Sequence, residues 1–241
     1  MSASKTHKSR GKFITLEGLE GVGKTTNREY IESLLNERGI AHIVTREPGG
    51  TPVGEQLRQL VLHDAGSITP AAELLIMAAS RVEHVAQVIE PALVSGVWVL
   101  CDRFLDASVA YQGAGRSLGT SLVRDLHRDV GVVLQPDLTL LLDMPVKEGL
   151  ARMSARGEPD RIERETLEFF ERARAAYLDT AAAEPTRVQI IDDGRSLADV
   201  QAEVGAAVTS LIDERDKHDG HDGRDGRAGR DERDERDEGR H

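Results

Sequence analysis

A chain of 241 residues with a single cysteine cannot form an intrachain disulfide, and Cys101 alone cannot build a cluster of thiolate metal ligands. The chain also lacks a long apolar run. Residues 1–12 are polar and basic, with no apolar stretch behind them long enough for a signal peptide or a membrane span. These absences predict a cytoplasmic protein with no membrane partner.

Positive charge and aromatic rings are scarce as well. The formal net charge of −11 argues against general affinity for nucleic acid or an anionic membrane, so any phosphate must be met by local basic residues. Aromatic residues make up only 3% of the chain, so the core must be built from Leu, Val, Ile and Ala. That composition suits a parallel sheet covered by helices.

Strand-like and helix-like segments alternate along the chain. Short apolar runs predict strands at residues 12–17, 41–45, 97–101, 138–142 and 187–191. Helical periodicity predicts helices at residues 24–38, 53–63, 70–95 and 197–212. The fold class expected from this order is α/β, a five-stranded parallel sheet flanked by helices.

Composition divides the chain into three parts. Residues 1–11 are expected to be a disordered N-terminus, and residues 12–212 form the folded domain. Residues 213–241 contain no large apolar side chain, so we expect a disordered, charged tail. Its Arg-Asp-Glu repeats leave a recruitment segment open as the alternative.

Residues 18–25, GLEGVGKT, match the spacing G-x-x-x-x-G-K-[ST] of a phosphate-binding loop. The loop follows a predicted strand and opens a predicted helix, so backbone N–H groups and the helix dipole would both face an anion. Lys24 and Thr25 fall where phosphate and Mg²⁺ need them. A chance glycine turn is the alternative. Glu20 is unusual in such a loop, because its carboxylate needs a metal, an arginine or a substrate hydroxyl nearby.

Asp102 follows the buried strand predicted at residues 97–101. Nucleotide-binding folds place a carboxylate at such a strand end to hold the waters of magnesium. Capping of the next helix is the structural alternative, and both roles are compatible.

Arg81 interrupts the apolar stripe of the helix predicted at residues 70–95. Together with Arg46 it could clamp the phosphate of an acceptor substrate, because guanidinium groups bind phosphate oxygens in a bidentate way. The alternative is a structural ion pair with Glu73, Glu47 or Glu83.

Three arginines, Arg152, Arg156 and Arg161, surround a Gly and a Pro at residues 152–163, between two predicted helices. We interpret this segment as a mobile lid, because arginines delivered by a closing segment can stabilise the charge that develops during phosphoryl transfer. A solvated charged turn is the alternative.

Taken together, these motifs resemble those of thymidylate kinases, specifically the bacterial branch that carries its catalytic arginines in the lid. The resemblance covers residues 13–212. It is carried, in the family's order, by residues 18–26, 45–51, 102–103, 110–113 and 156–163. It implies the P-loop nucleoside monophosphate kinase fold with a lid segment, transfer of the γ-phosphoryl group of ATP to dTMP with Mg²⁺, and a homodimer.

The resemblance also implies a role for each site residue. Those expected to act in the transfer are Lys24, Arg156, Arg161, Asp102 and Glu20. Those expected to bind ATP are Gly18, Leu19, Glu20, Gly21, Val22, Gly23, Lys24, Thr25, Thr26 and Arg152, the last stacking beside adenine. Those expected to bind dTMP are Glu20, Arg46, Met77, Arg81, Arg103, Ser108, Tyr111 and Gln112. Thr25 and Asp102 are the expected metal residues.

Two positions differ within the family. Some members carry a catalytic arginine at the place of Gly21, whereas this chain resembles those that supply it from the lid. Met77 stands where the family usually has a phenylalanine that stacks on thymine, so we expect retained but weaker or less selective base binding. Ordinary core packing of Met77 is the alternative.

Three alternative functions remain to be weighed. Another nucleoside monophosphate kinase would keep the phosphate loop and lid, but Ser108, Tyr111 and Gln112 favour thymidylate. A GTP-binding switch would carry an Asn-Lys-x-Asp guanine motif, which this sequence lacks. A non-catalytic nucleotide-binding protein would have no need of Lys24 or an arginine-rich lid.

Overall fold

A computed structural model describes residues 9–64, 66–155 and 159–222 of the chain. Within them, five parallel strands form one sheet in the order β2-β3-β1-β4-β5. The strands are β1 Phe13–Glu17, β2 His42–Arg46, β3 Trp98–Asp102, β4 Leu138–Asp143 and β5 Val188–Asp192. The predicted five-stranded parallel sheet is confirmed.

Helices connect successive strands and flank the sheet. They are α1 Lys24–Glu37, α2 Pro52–Gln59, α3 Pro70–His84, α4 Glu90–Val94, α5 Leu105–Ser108, α6 Thr120–Asp129, α7 Val146–Ser154, α8 Leu167–Ala183 and α9 Leu197–Asp222. Short π-helical segments follow α2, α3 and α5 at Leu60–Asp64, Val85–Ile89 and Val109–Gly115. Across the described part of the chain, no helix has the length and apolarity to cross a membrane.

Side chains of the strands alternate between two apolar clusters, one on each face of the sheet. In β1, Ile14 and Leu16 belong to one cluster, whereas Phe13 belongs to the other together with Val99 and Cys101 of β3. Because each face is covered by helices, the strands read as continuous apolar runs rather than as alternating ones. This burial pattern explains why the strands could be predicted from the sequence.

The helix predicted at residues 70–95 differs in detail from the structure. It is divided into α3, the π-helical segment Val85–Ile89 and α4. Periodicity alone does not reveal such a division, since one extra residue in a turn leaves an apolar stripe almost continuous.

The structure describes residues beyond both ends of the predicted folded domain. Arg10 donates to Asp137 over 2.9 Å, and the Gly11 N–H bonds to the Leu93 carbonyl over 2.8 Å, so part of the predicted N-terminal tail is tied to the domain. At the other end, α9 continues ten residues beyond the predicted limit and ends at Asp222. Glu, Arg and Lys are good helix formers, and the Arg215 guanidinium lies 5.6 Å from the centre of the Trp98 ring. Residues 1–8 and 223–241 lie outside the described residues.

Acidic and phosphate-binding residues meet at the carboxyl edge of the sheet. Leu16 pairs with Asp102 across β1 and β3, so the loop after β1 lies beside the end of β3. In open parallel sheets this edge is where ligands bind.

Candidate active site

The phosphate-binding loop packs against neighbouring backbone so closely that two of its glycines cannot be replaced freely. Gly18 has φ +129°, and a Cβ there would lie 2.2 Å from the Leu142 carbonyl oxygen. Gly21 has φ +79°, and its Cβ would lie 2.1 Å from the Gly149 carbonyl oxygen in α7. The loop therefore has no room for an arginine at Gly21 without a backbone shift.

Lys24, the first residue of α1, folds back along the loop. Its Nζ donates to the carbonyls of Gly18 over 3.1 Å and Leu19 over 2.5 Å, and lies 3.7 Å from Glu20 Oε2. Burial, reinforced by the nearby Arg103 guanidinium, lowers the pKa of Lys24. The ammonium group thus sits inside the loop, where a phosphate oxygen could replace its carbonyl partners.

Glu20 is held by an arginine and a tyrosine from beyond β3. Arg103 NH2 donates to both carboxylate oxygens of Glu20, at 2.8 and 2.7 Å, and Tyr111 Oη donates to Oε1 over 3.0 Å. The Arg103 guanidinium also lies 4.9 Å from the centre of the Tyr111 ring. Burial would raise the pKa of Glu20, but Arg103 and Lys24 lower it to about 2, so its carboxylate is ionised at neutral pH.

A cleft of about 1000 Å³, measured to its open mouth, joins this loop to the acceptor side. The predicted site residues that line it are Glu20, Gly21, Val22, Gly23, Lys24, Thr25, Arg46, Met77, Asp102, Arg103, Tyr111 and Gln112. The predicted site residues outside its lining, among those the structure describes, are Gly18, Leu19, Thr26, Arg81, Ser108, Arg152 and Arg161.

Known proteins are similar to this chain in both sequence and fold. The family model described as thymidylate kinase matches residues 16–204. The chain is 52% identical to the thymidylate kinase of Methylococcus capsulatus and 50% identical to that of Ectopseudomonas mendocina, in each case over 84% of this chain and 97% of the relative. It belongs to the thymidylate kinase family. The crystal structure of the Ehrlichia chaffeensis thymidylate kinase superposes with a TM-score of 0.69 at 32% identity, covering 83% of this chain and 99% of that one. The P-loop nucleoside monophosphate kinase fold expected from the sequence is thereby confirmed.

The kinase holds Arg81 away from the cleft. Its guanidinium is 1% exposed and donates to Glu47 over 2.6 Å, to Ser108 over 3.0 Å and to the Phe104 carbonyl over 2.9 Å. The structure thus matches the alternative interpretation, a structural ion pair with Glu47. Ser108 is one of the partners of Arg81 in this arrangement, and the roles expected of both residues in dTMP binding stay predictions.

The residues predicted for the site did not include one arginine that lines the cleft. Arg58 of α2 lines the cleft and donates to the Pro48 carbonyl over 3.0 Å. Burial, followed by the charge of Arg46, lowers the pKa of Arg58. No sequence signal marks this position, because an arginine on a short polar helix is usually a solvated charge.

The predicted lid flanks the mouth of the cleft. Its first arginine, Arg152, bonds to Asp193 Oδ2 over 2.6 Å, and Asp193 lies next to Gly23 of the phosphate loop. Arg161 donates to Glu73 Oε2 over 2.6 Å and does not line the cleft. Arg156 lies outside the described residues.

Glu17, the last residue of β1, is a second acid that the sequence analysis passed over. It is fully buried, and it accepts hydrogen bonds of 2.7 Å from the Phe104 N–H and from the hydroxyl of Tyr177 in α8. Tyr177 in turn receives a 3.3 Å hydrogen bond from Arg103. An acid that ends a buried strand was the signal used for Asp102, and it applied equally to Glu17.

Burial, with a smaller contribution from the nearby Asp106, raises the pKa of Glu17 to about 8. A carboxyl that ionises only near pH 8 in the folded kinase, but near 4.5 when unfolded, stabilises the fold fully below pH 4.5. That stabilisation is lost as the pH rises toward 8.

Replacing Glu17 with glutamine is therefore expected to flatten the pH dependence of stability. Between pH 5 and 8 the free energy of unfolding of the wild type should fall relative to the variant by up to about 1.4 kcal/mol per pH unit, the value for one proton. Urea denaturation at several pH values measures this. Glu37→Gln, at an exposed position of α1, is the control. Parallel curves for Glu17→Gln and the wild type would refute the assignment.

Proposed function

We propose that this chain transfers the γ-phosphoryl group of ATP to dTMP, giving dTDP for dTTP synthesis. The observation that carries the proposal is the continuity of the cleft. Lys24 and the phosphate loop line the same cleft as Arg103, Tyr111 and Gln112. A donor and an acceptor bound there would face each other without crossing solvent, which is the main requirement of phosphoryl transfer.

On the ATP side, the backbone of residues 18–23 and the N-terminus of α1 would bind the phosphates. Lys24 would exchange its carbonyl partners for β- and γ-phosphate oxygens. Arg152, held by Asp193 beside the loop, would stack on adenine, because guanidinium planes pack well on aromatic faces.

Thr25 and Asp102 fit a magnesium ion bound with ATP. Thr25 is exposed at the cleft, and Asp102 Oδ1 is buried with no hydrogen-bond partner in the described part of the chain. Phosphate oxygens and water would supply most of the ligands of the ion. When bound, the ion would neutralise charge on the transferring phosphate.

On the acceptor side, Arg46, Arg58 and Arg103 supply positive charge for the phosphate of dTMP. Glu20 and Tyr111 would meet the deoxyribose hydroxyl. Met77, 7% exposed and lining the cleft, would pack on the base beside Gln112.

The reaction forms one bond and breaks one. A phosphate oxygen of dTMP attacks the γ-phosphorus of ATP, and the bond from that phosphorus to the β,γ-bridging oxygen breaks, leaving ADP. Lys24 follows the migrating group, and the lid arginines Arg156 and Arg161 stabilise its charge. To do so, Arg161 must break its hydrogen bond with Glu73 and bind the transferring phosphate.

A coupled assay of ADP release with a panel of nucleoside monophosphates tests the proposal. We expect turnover that depends on dTMP, on ATP and on Mg²⁺. Turnover with another monophosphate but not with dTMP would overturn the substrate assignment.

We also propose that the enzyme is a cytoplasmic homodimer. The unpaired, buried Cys101 fits a reducing compartment. Large apolar side chains are exposed at the end of α2, on α3 and on α6, at Leu60, Leu75 and Leu122. Where such side chains adjoin one another, they mark a protein interface. Sedimentation equilibrium tests the proposal, and a monomeric mass at micromolar concentration would contradict it.

A further inference from the structure

The side-chain amide of Gln112 lies between a buried carboxylate and the cleft. Its Nε2 donates to Glu73 Oε1 over 2.8 Å, and the side chain lines the cleft. Gln112 is 1% exposed and Glu73 is fully buried. This contact connects α3, which carries Glu73, to the π-helical segment that carries Gln112.

Glu73 acts only as an acceptor. Arg116 Nε donates to its two oxygens over 3.3 and 3.2 Å, and Arg161 NH2 donates to Oε2 over 2.6 Å. Burial would raise the pKa of Glu73, but hydrogen bonds from Gln112, Arg116 and Arg161 lower it below the usual value. An ionised carboxylate has no proton to donate, so the amide must present its NH₂ group to Glu73.

The opposite branch of the amide is then an unpaired acceptor. Gln112 Oε1 is buried, and it has no hydrogen-bond partner among the residues the structure describes. Leaving a buried polar atom unpaired is costly, so a ligand group that donates a hydrogen bond there binds more tightly than one that does not.

We propose that Glu73 is a specificity-determining positioning residue that fixes the amide of Gln112 with its oxygen toward the base. This inference rests on the proposed function. The wall of the cleft then accepts a hydrogen bond from a base that carries a ring N–H, as thymine and uracil do at N3. Cytosine has a lone pair at N3 and meets the same oxygen with repulsion.

A glutamine without such a partner would not discriminate thymine or uracil from cytosine. A free amide can rotate by 180° and offer its NH₂ group to the lone pair of cytosine with little change in shape. With Glu73 in place, rotation would put two acceptors together in a buried site, which is costly. The discrimination therefore depends on the partner of Gln112.

The test compares dUMP with dCMP, which share sugar and phosphate and differ only at positions 3 and 4 of the base. For the wild type we expect kcat/KM to favour dUMP by at least about 100-fold, since sites built around a hydrogen bond reject analogues that cannot make it. In Glu73→Gln the new amide can donate or accept, so Gln112 can rotate. The ratio should fall about tenfold or more.

The control is Glu165→Gln. Glu165 is the other carboxylate bound by Arg116, and it makes no hydrogen bond to Gln112 in the described residues. This variant removes one of the carboxylate charges that pair with Arg116 but leaves the contact between Glu73 and Gln112. Its dUMP-to-dCMP ratio should therefore stay that of the wild type. A ratio that falls equally in both variants would refute the inference, because loss of a charged carboxylate partner of Arg116 would then be the cause.

A second variant, Gln112→Met, keeps the length of the side chain and removes the acceptor. We expect kcat/KM to fall for dTMP and dUMP much more than for dCMP, and this variant decides the matter if Glu73→Gln does not fold. If the wild type phosphorylates dTMP and these variants keep the wild-type ratio, the inference is wrong and the proposed function stands. If the wild type has no turnover with dTMP, the proposed function itself fails.

Discussion

Replacing Lys24 with alanine is expected to lower kcat by about 10³-fold, the scale found when one preorganised charge or donor is removed from a transition state. The Lys24 ammonium lies within the phosphate loop, 3.7 Å from Glu20 Oε2 and bonded to two loop carbonyls. The nearby Arg103 guanidinium is already bonded to Glu20, so we do not expect it to replace the lysine. Single-turnover measurement with ATP and dTMP separates the chemical step from binding.

Lys147→Ala is the matched control for this substitution. Lys147 lies on α7 at an exposed position and does not line the cleft. We expect its kcat and melting temperature to match the wild type. Near-normal kcat in Lys24→Ala, with the fold intact, would show that the lysine does not follow the phosphoryl group.

Arg103→Met should have the second largest effect, because this arginine joins the phosphate loop to the acceptor side. It bonds to Glu20, to the Gly18 carbonyl over 2.9 Å and to Tyr177, and its φ of +70° lies in the left-handed region. Methionine has a similar volume and would bear the same backbone strain, so the comparison isolates the charge. We expect kcat/KM for dTMP to fall by about 10²–10³-fold.

The same substitution should destabilise the fold by about 3 kcal/mol at pH 7, because Glu20 would keep its charge without its main partner. The sign of the pH dependence follows from the pKa of Glu20, lowered from 4.5 to about 2. The pair contributes its full stability above pH 4.5 and loses it as the pH falls toward 2.

Stability curves therefore provide the check on Arg103. The difference between wild type and Arg103→Met should be largest at neutral pH and should shrink below about pH 4.5. Arg128→Met, on the exposed face of α6, is the control and should show no such difference. A loss of stability that does not change with pH would mean that Arg103 acts through packing rather than through the charge of Glu20.

Much of the fold could be predicted because its signals are local. The apolar runs of β1 and β3 are buried on both faces, so they stand out in the sequence. The motif at residues 18–25 can be recognised from its own spacing of glycines and from the strand and helix predicted on either side. The chain ends were harder, since Arg10 and Arg215 gain order from distant partners, Asp137 and Trp98.

Within the candidate site, residue types were easier to predict than their partners. Arg81 and Arg103 looked alike in the sequence as arginines for the acceptor phosphate. The structure buries Arg81 against Glu47 and leaves Arg103 in the cleft beside Glu20. Position along the chain could not distinguish the two.

The sequence by itself determined the architecture, the phosphate loop and the family, because strand and helix periods and a contiguous motif depend on neighbours a few residues apart. Only the tertiary structure decided that Glu17 accepts a hydrogen bond from Tyr177 and that Glu73 accepts one from Gln112. Those contacts join residues 160 and 39 positions apart, and their geometry depends on how α8 and α3 pack on the sheet. Whether a buried acid carries a charge, and what it orients, follows from that packing.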